Sequence, residues 1–160
     1  MSLLSGINHV AIVTADLDRF IEFYGRIFGA SVVFRENDPF RHAILRIGPD
    51  SWLHPVEALD NPNATASSRM FHRGHVDHVA LTASSRAAFG ELRKRLIECG
   101  ASEGAIDDLG AFRTLAFQDP DGMRGELTWV VDPALAGIHE PRALAEKDVS
   151  AGACEESVVR

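Results

Sequence analysis

The chain has 160 residues, a formal net charge of −7 at pH 7 and a sequence pI of about 5.4. This acidity, without any basic run, argues against nucleic acid or an anionic membrane as a partner and favours a small-molecule ligand. No apolar stretch approaches the ~18 residues of a membrane span and no signal-type segment begins the chain, so we expect a cytoplasmic protein. Cys99 and Cys154 have neither metal-site spacing nor a disulfide framework, which indicates reduced, structural thiols.

The first part of the chain predicts a strand, a helix and further strands. Ile7 to Val13 alternate with a period of two, which predicts a strand that carries His9 on one face. A helix follows, capped by Thr14 or Asp16 and closed by Gly29. The strands predicted after it are Ala30 to Glu36, Arg41 to Ile47 and Ser51 to Glu57. The first module is therefore βαβββ, over residues 7–58.

The same order returns in the second part of the chain. Residues 59–74 are rich in Asn, Ser and Ala and are interpreted as a linker. The second module, residues 75–131, then has a strand after His78, a helix capped by Ser84 or Ser85, and strands near Ala105, at Phe112 to Gln118 and at Arg124 to Val131. We expect residues 1–132 to form one domain, since modules of ~50 to 60 residues need a shared core. The tail, residues 133–160, is expected to form a short helix and then fray.

The two modules repeat one pattern, with a register that drifts slightly towards their ends. His9 and His78 occupy the same place in two similar phrases, 69 residues apart. The same spacing relates three further pairs, Phe20 and Phe89, Arg26 and Arg95, and Ile27 and Leu96. Near the module ends, Trp52-Leu53-His54 corresponds to Arg124-Gly125-Glu126. Each half therefore offers two candidate metal ligands, His9 and His54 in one and His78 and Glu126 in the other.

This donor set predicts a divalent metal site. Two imidazoles and a carboxylate with open coordination positions match the 2-His-1-carboxylate geometry of non-haem iron, so Fe²⁺ is favoured, with Zn²⁺, Ni²⁺, Mn²⁺ or Co²⁺ as alternatives. His54 is either a fourth ligand or an acid-base group. His42 is interpreted as a surface histidine, although His42 or Arg41 could reach the site as an acid-base or anion-binding group. His72 and His75 are interpreted as surface residues.

The sequence resembles the vicinal-oxygen-chelate superfamily, which includes glyoxalase I, bleomycin-resistance proteins and extradiol dioxygenases. The resemblance covers residues 7 to 131 and is carried by a small set of motifs: His9, Phe23-Tyr24, Phe28-Gly29, His78, and Phe117 to Gly122 leading to Glu126. It implies an α+β fold in which two tandem βαβββ modules form a curled, cup-shaped mixed sheet. It also implies that His9, His54, His78 and Glu126 bind a metal to which the substrate is chelated through two oxygens.

The resemblance leaves three functions open. The first, which the histidine-rich set favours, is a non-haem iron dioxygenase. The second is a non-redox lyase or isomerase, in which Zn, Ni, Mn or Co holds the substrate and His54 or Glu126 moves a proton. The third is a metal-free small-molecule binding or resistance protein. His54 differs from the glutamate of glyoxalase I, and Ala116 from the tyrosine of the extradiol signature. A homodimer is expected, formed either around complete sites or by exchange of modules.

Overall fold

The structure is a computed structural model that describes residues 7–59 and 76–134, together with the backbone of residues 138–143. Across these residues the chain forms the following elements: β1 (His9–Thr14), α1 (Leu17–Phe28), β2 (Ser31–Glu36), β3 (His42–Gly48), β4 (Ser51–Glu57), β5 (Val79–Thr82), α2 (Arg86–Glu98), β6 (Asp107–Gly110), β7 (Phe112–Gln118), β8 (Arg124–Val130) and β9 (Ile138–Ala143). The predicted α+β class and tandem βαβββ order are confirmed. No helix in this part of the chain is long and apolar enough to cross a membrane.

The described chain divides into two compact units. The first contains the residues up to His78 together with Gln118–Arg124, and the second contains Val79–Phe117 and the residues from Gly125 onward. The expectation of one domain over residues 1–132 stays a prediction. The linker expected at 59–74 lies, apart from residue 59, outside the described residues.

Each unit has its own mixed sheet, and the two sheets share a strand order. The first is β1-β4-β3-β2, and the second is β5-β8-β7-β6 with β9 added at its edge. In both, the strand that begins the module pairs in parallel with the strand that ends it. Ala11 lies opposite His54 in the first sheet, and Ala80 lies opposite Glu126 in the second. Since Ala11 and Ala80 are themselves related by the 69-residue repeat, the predicted equivalence of His54 and Glu126 is confirmed in the backbone register.

Helix α1 supplies most of the apolar core of the first unit. Asp16 is its N-cap and accepts a hydrogen bond from the backbone N of Arg19 at 3.0 Å, and Gly29 ends it at φ +72°. The left-handed conformation at Gly29 favours glycine, because other side chains are strained there. The buried face of the helix consists of Leu17, Phe20, Phe23, Tyr24 and Ile27.

The turn between β7 and β8, Asp119–Gly122, belongs to the first unit. Its Asp121 carboxylate accepts hydrogen bonds from Thr14 Oγ1 at 2.5 Å, Ala15 N at 3.2 Å and Arg19 Nη2 at 2.6 Å. Thr14 is fully buried and the Asp121 side chain is 4% exposed. Charge-assisted bonds of this kind are stronger than neutral ones, so the turn fixes the connection from β1 to α1.

Asp119 is the second carboxylate of this turn. Its Oδ1 accepts hydrogen bonds from the backbone N of Asp121 at 2.9 Å and of Met123 at 2.8 Å. Its Oδ2 is buried and has no hydrogen-bond partner among the described residues. Burial raises the pKa of Asp119 to about 6, and the negative charge of Asp121 acts in the same direction.

The expected short helix in the tail is wrong for Ile138–Ala143. These residues form β9, which pairs antiparallel with β6 and extends the second sheet. Pro141 disfavours a helix interior because it has no backbone N–H, whereas an edge strand tolerates it. The backbone of β6 would otherwise lie unpaired at the sheet edge. The remainder of the tail lies outside the described residues.

Candidate metal and proton-transfer site

The two repeated histidines make the same local hydrogen bond. His9 Nδ1 is 2.9 Å from Asn8 Oδ1, and His78 Nδ1 is 3.0 Å from Asp77 Oδ2. Both oxygens are acceptors, so each imidazole donates from Nδ1 and its lone pair is on Nε2. A ligating histidine typically has this arrangement, with one ring nitrogen oriented by a carboxylate or carbonyl oxygen. The repeat therefore preserves the orienting group as well as the histidine.

His54 lies on the half-buried face of β4, two residues beyond the strand position opposite His9. The two rings meet edge-on, with centroids 5.8 Å apart. Burial lowers the pKa of His54, and the positive charges that His42 and His9 carry when protonated lower it further. His54 is therefore biased toward the neutral imidazole, which can accept a proton or bind a metal.

His42 is joined to His54, which the sequence did not predict. Its Nδ1 is 3.0 Å from His54 Nε2, and its Nε2 is 3.1 Å from Glu36 Oε2. A carboxylate only accepts, so His42 donates from Nε2, and a neutral His42 accepts the Nε2 proton of His54 at its Nδ1. His42 is 13% exposed, which corrects the surface interpretation. The strand pairing could have indicated this contact. His42 starts β3 and lies opposite Val56 of β4, two residues from His54.

Glu126 lies on β8 in the second unit and is half-buried. Thr114 Oγ1, on the neighbouring strand β7, donates to Glu126 Oε2 at 3.3 Å. The carboxylate thus shares one sheet face with a hydroxyl group.

The structure brings together some of the predicted site residues. His54 contacts both His9 and His42 on one face of the first sheet. His78 belongs to the first unit and Glu126 to the second. Within residues 7–59 and 76–134, no three His, Cys, Asp or Glu side chains form a group that could hold a metal ion as they stand. The ligand set His9, His54, His78 and Glu126 therefore stays a prediction.

Comparison with known proteins identifies the family. Residues 6–127 match the family model of the Glyoxalase/Bleomycin resistance protein/Dioxygenase superfamily, and the chain belongs to this superfamily. A search of curated protein sequences found no match.

Solved structures share the fold at low sequence identity. A glyoxylase/bleomycin resistance protein/dioxygenase domain from Frankia sp. EAN1pec has a TM-score of 0.68 at 23% identity, covering 79% of this chain and 98% of that one. A glyoxalase family protein from Enterococcus faecalis has a TM-score of 0.63 at 23% identity, covering 79% and 99%. The fosfomycin resistance protein FosX from Listeria monocytogenes, solved with Mn(II) and sulfate, has a TM-score of 0.59 at 18% identity, covering 79% and 93%.

Proposed function

We propose that this protein is a divalent-metal-dependent enzyme whose small oxygenated substrate is chelated to the metal. The observation that carries the proposal is the repeated Nδ1 hydrogen bond, which leaves the Nε2 lone pair of both His9 and His78 as the ligating group. Family membership supports it, and a structural neighbour, FosX, was solved with Mn(II). The proposed ligands are His9, His78 and Glu126, with His54 as a fourth ligand or an acid-base group.

The donor types fit such a metal. Imidazole nitrogens and a carboxylate suit Fe²⁺, Mn²⁺, Co²⁺, Ni²⁺ or Zn²⁺ better than Ca²⁺ or Mg²⁺, which prefer oxygen ligands. A bound metal of this kind would polarise the substrate oxygens and stabilise negative charge on them.

The hydrogen-bonded histidine pair favours proton transfer as the reaction type. His54 donates through Nε2 to His42, so its lone pair lies on Nδ1 and can accept a proton from the substrate. His42 and Glu36 then stabilise the imidazolium formed, as a carboxylate does for a catalytic histidine. A lyase or isomerase that uses a non-redox metal is therefore the first candidate.

An iron dioxygenase is the second candidate. It is favoured by the predicted two-histidine, one-carboxylate set, which leaves open positions for substrate and dioxygen. The two candidates differ in a simple observable: the dioxygenase consumes one oxygen molecule per turnover, and the lyase or isomerase consumes none.

Metal content tests the proposal. Protein purified anaerobically without added metal should contain about one transition-metal ion per chain, and His9→Ala, His78→Ala and Glu126→Ala should each lose it. His42→Gln is the matched control, since it removes a partner of His54 without touching His9 or His78 and should keep the metal. Unchanged metal content in His9→Ala and Glu126→Ala would refute the ligand set. Apo protein that takes up no metal on reconstitution would point to the metal-free binding protein.

The reaction class is then tested with the same variants. For proton transfer, His42→Gln should keep the metal and lower kcat by about ten- to a hundredfold, within the range for general acid-base groups. Anaerobic conditions should leave the turnover intact. Oxygen uptake with catechols or enediols by iron-loaded protein would instead select the dioxygenase.

We also propose a homodimer in solution. β2 is an edge strand of the first sheet, and every residue in it is exposed, including Val33 and Phe34 at 51% and 47%. An exposed apolar edge strand favours pairing with another chain. Size-exclusion chromatography with light scattering should give twice the chain mass, and Phe34→Lys should give a monomer. A monomeric wild-type protein would remove the proposal.

A further inference from the structure

We propose that the second unit contains an anion-binding pocket, separate from the proposed metal site, that takes the phosphate or carboxylate group of a small molecule. The pocket lies between helix α2 and strands β7 and β8. Arg86, Arg93 and Arg113 line it together with Phe89, Gly90 and Trp129. Among these lining residues there are three guanidinium groups and no carboxylate, on a chain whose net charge is −7.

The size of the pocket selects the kind of ligand. Its volume is about 90 Å³. Sites that enclose a whole metabolite have volumes of roughly 300–1,000 Å³, whereas a water molecule occupies about 30 Å³. The pocket therefore accommodates one oxyanionic group, with the remainder of the molecule outside it.

Each of the three arginines is held in position by an uncharged group. Arg86 and Arg113 lie over Trp129, each with its guanidinium carbon 5.7 Å from the ring centroid. Arg93 is anchored by a 2.7 Å bond from its Nε to the carbonyl of Gly104. Ring and carbonyl contacts orient a guanidinium while leaving its positive charge in place.

Arg113 has a buried donor atom that is not satisfied. Its Nε has, within the described chain, no hydrogen-bond acceptor. Asp108 Oδ2 lies 3.8 Å from Nε, within the range of an ion pair but too far for a hydrogen bond. A buried donor without an acceptor is unfavourable, and a ligand oxyanion would accept a hydrogen bond from it.

The first unit shows what the same position looks like when it is neutralised. Arg41, the residue before β3, lies opposite Glu57 of β4, and a 2.8 Å backbone hydrogen bond runs from Glu57 N to Arg41 O. The Glu57 carboxylate accepts two hydrogen bonds from Arg41, at 2.7 and 2.8 Å, and one from Leu17 N at the start of α1, at 2.8 Å. Asp18 also binds Arg41, at 2.6 Å.

The second unit keeps the arginine and replaces both of its acidic partners. Arg113 lies opposite Trp129, because the Val131 N to Ala111 O bond fixes the register two residues away. Trp129 thus stands where the first unit has Glu57. By the 69-residue repeat, Ala87 stands where the first unit has Asp18. A ligand oxyanion would restore the negative charge that these two replacements remove.

Gly90 provides the space. It lies inside helix α2, where glycine is less favourable than alanine, and a Cβ added to it would meet nothing within 4 Å. No packing contact therefore explains the glycine. By the 69-residue repeat it corresponds to Ile21 of α1, and Arg86 and Arg93 correspond to the buried Leu17 and Tyr24. Two buried residues and one half-buried residue of the first unit are thus replaced by two arginines and a glycine in the second.

The pocket and Glu126 lie on opposite faces of the second sheet. Side chains alternate along β8, so Trp129 and Leu127 face one side and Glu126 faces the other. Variants in the pocket can therefore be examined without changing any proposed metal ligand.

Trp129 fluorescence provides the assay. The chain has two tryptophans, and Trp52→Phe makes Trp129 the only one. This protein would be titrated at constant ionic strength with inorganic phosphate, phenyl phosphate and benzoate, with chloride as the reference salt. Arg113→Gln removes the charge, and Gly90→Leu fills the pocket without removing any arginine. Arg95→Gln is the matched control, because Arg95 is on the same helix, binds Glu91 and does not line the pocket.

The proposal expects a saturable fluorescence change with at least one of the three anions. Binding should weaken at least about tenfold in Arg113→Gln and in Gly90→Leu, as expected for the loss of a charge-assisted contact or of the space, and stay within about twofold in Arg95→Gln. Tighter binding of the phosphates than of benzoate would indicate a phosphate ester, and the reverse order a carboxylate. No saturable change with any anion would overturn the proposal, as would equal effects in the Arg95→Gln control.

Discussion

Helices α1 and α2 occupy equivalent positions in two modules with the same strand order, yet they differ in how much of their surface is buried. Five residues of α1 are buried, whereas in α2 only Phe89 and Leu96 are. Helix α1 closes its unit with stacked aromatic rings, such as Phe20 on Tyr24 with centroids 4.4 Å apart. Helix α2 covers a pocket lined by arginines. The comparison shows that two modules with the same backbone fold can differ in how their helices pack. One helix fills a core, and the other leaves room for the proposed ligand.

The largest effect is expected when the equivalent phenylalanines of the two helices are replaced by alanine. Phe20 is fully buried within the aromatic cluster, so Phe20→Ala should lower the free energy of unfolding by about 3–5 kcal/mol. Phe89→Ala should cost less, about 2–3 kcal/mol, because Phe89 borders an open pocket and already lacks some packing partners. Urea denaturation of both variants measures the difference. Equal costs would mean that the two helices are packed alike.

The two β-hairpins that close the modules offer the next test. The turn at residues 48–50 is partly or fully exposed, whereas Asp119 of the second turn is buried with a pKa of about 6. The folded state therefore holds a proton between pH 3.8 and 6 that the unfolded state releases, and stability falls as pH rises through this window. The wild type should lose up to about 3 kcal/mol more than Asp119→Asn between pH 3.5 and 8, since each pKa unit is worth about 1.4 kcal/mol.

Asparagine keeps the acceptor for the two backbone N–H groups, so this variant isolates the ionisation. Denaturant midpoints of both proteins across that range provide the measurement. Parallel pH profiles would contradict the raised pKa of Asp119.

Replacing the equivalent arginines, Arg41 and Arg113, should have a smaller effect on stability. Arg41→Gln removes charge-assisted bonds to Asp18 and Glu57 and should lower the melting temperature, because the Glu57 carboxylate then loses two of its three hydrogen bonds. Arg113→Gln should lower the melting temperature less or raise it, since it removes a buried donor that has no hydrogen-bond acceptor and only a 3.8 Å ion pair to Asp108. Thermal unfolding at low salt compares them. A larger loss in Arg113→Gln would show that this arginine is structural.

The smallest expected effect is an increase in stability on replacing Gly90. Gly90→Ala should stabilise the protein by about 0.5–1 kcal/mol, because alanine is the better helix former and its Cβ has room. Gly29→Ala is the matched contrast at the end of α1, where φ is +72°, and should destabilise. Calorimetric melting of both variants tests this, and a destabilised Gly90→Ala would show that the space beside Gly90 is filled in solution.

Much of the fold could be predicted from the sequence, because period-two strands, helix caps and turn residues are local signals. Ser51–Glu57 and Phe112–Gln118 have the predicted bounds, and the repeat gave the correct equivalence of His54 and Glu126. β9 was not predicted, because its pairing with β6 is a long-range contact with no signal in its own six residues.

The site was only partly predictable. His42 alone looks like any strand histidine, and its significance comes from the neighbouring strand that brings His54 within 3.0 Å. The arginines of α2 look like a solvated helix face. Comparing each with the residue 69 positions earlier would have shown that Arg86 and Arg93 replace buried Leu17 and Tyr24.

The carboxylate of Asp121 has a consequence for how this chain can be divided. The sequence places Asp121 in the second half of the duplication, yet its hydrogen bonds go to Thr14, Ala15 and Arg19 in the first. A gene fragment that ended between the repeats would encode a first half with a buried threonine and an arginine deprived of their acceptor. The two halves share one pattern of secondary structure, but the first half depends on a carboxylate that the second half supplies.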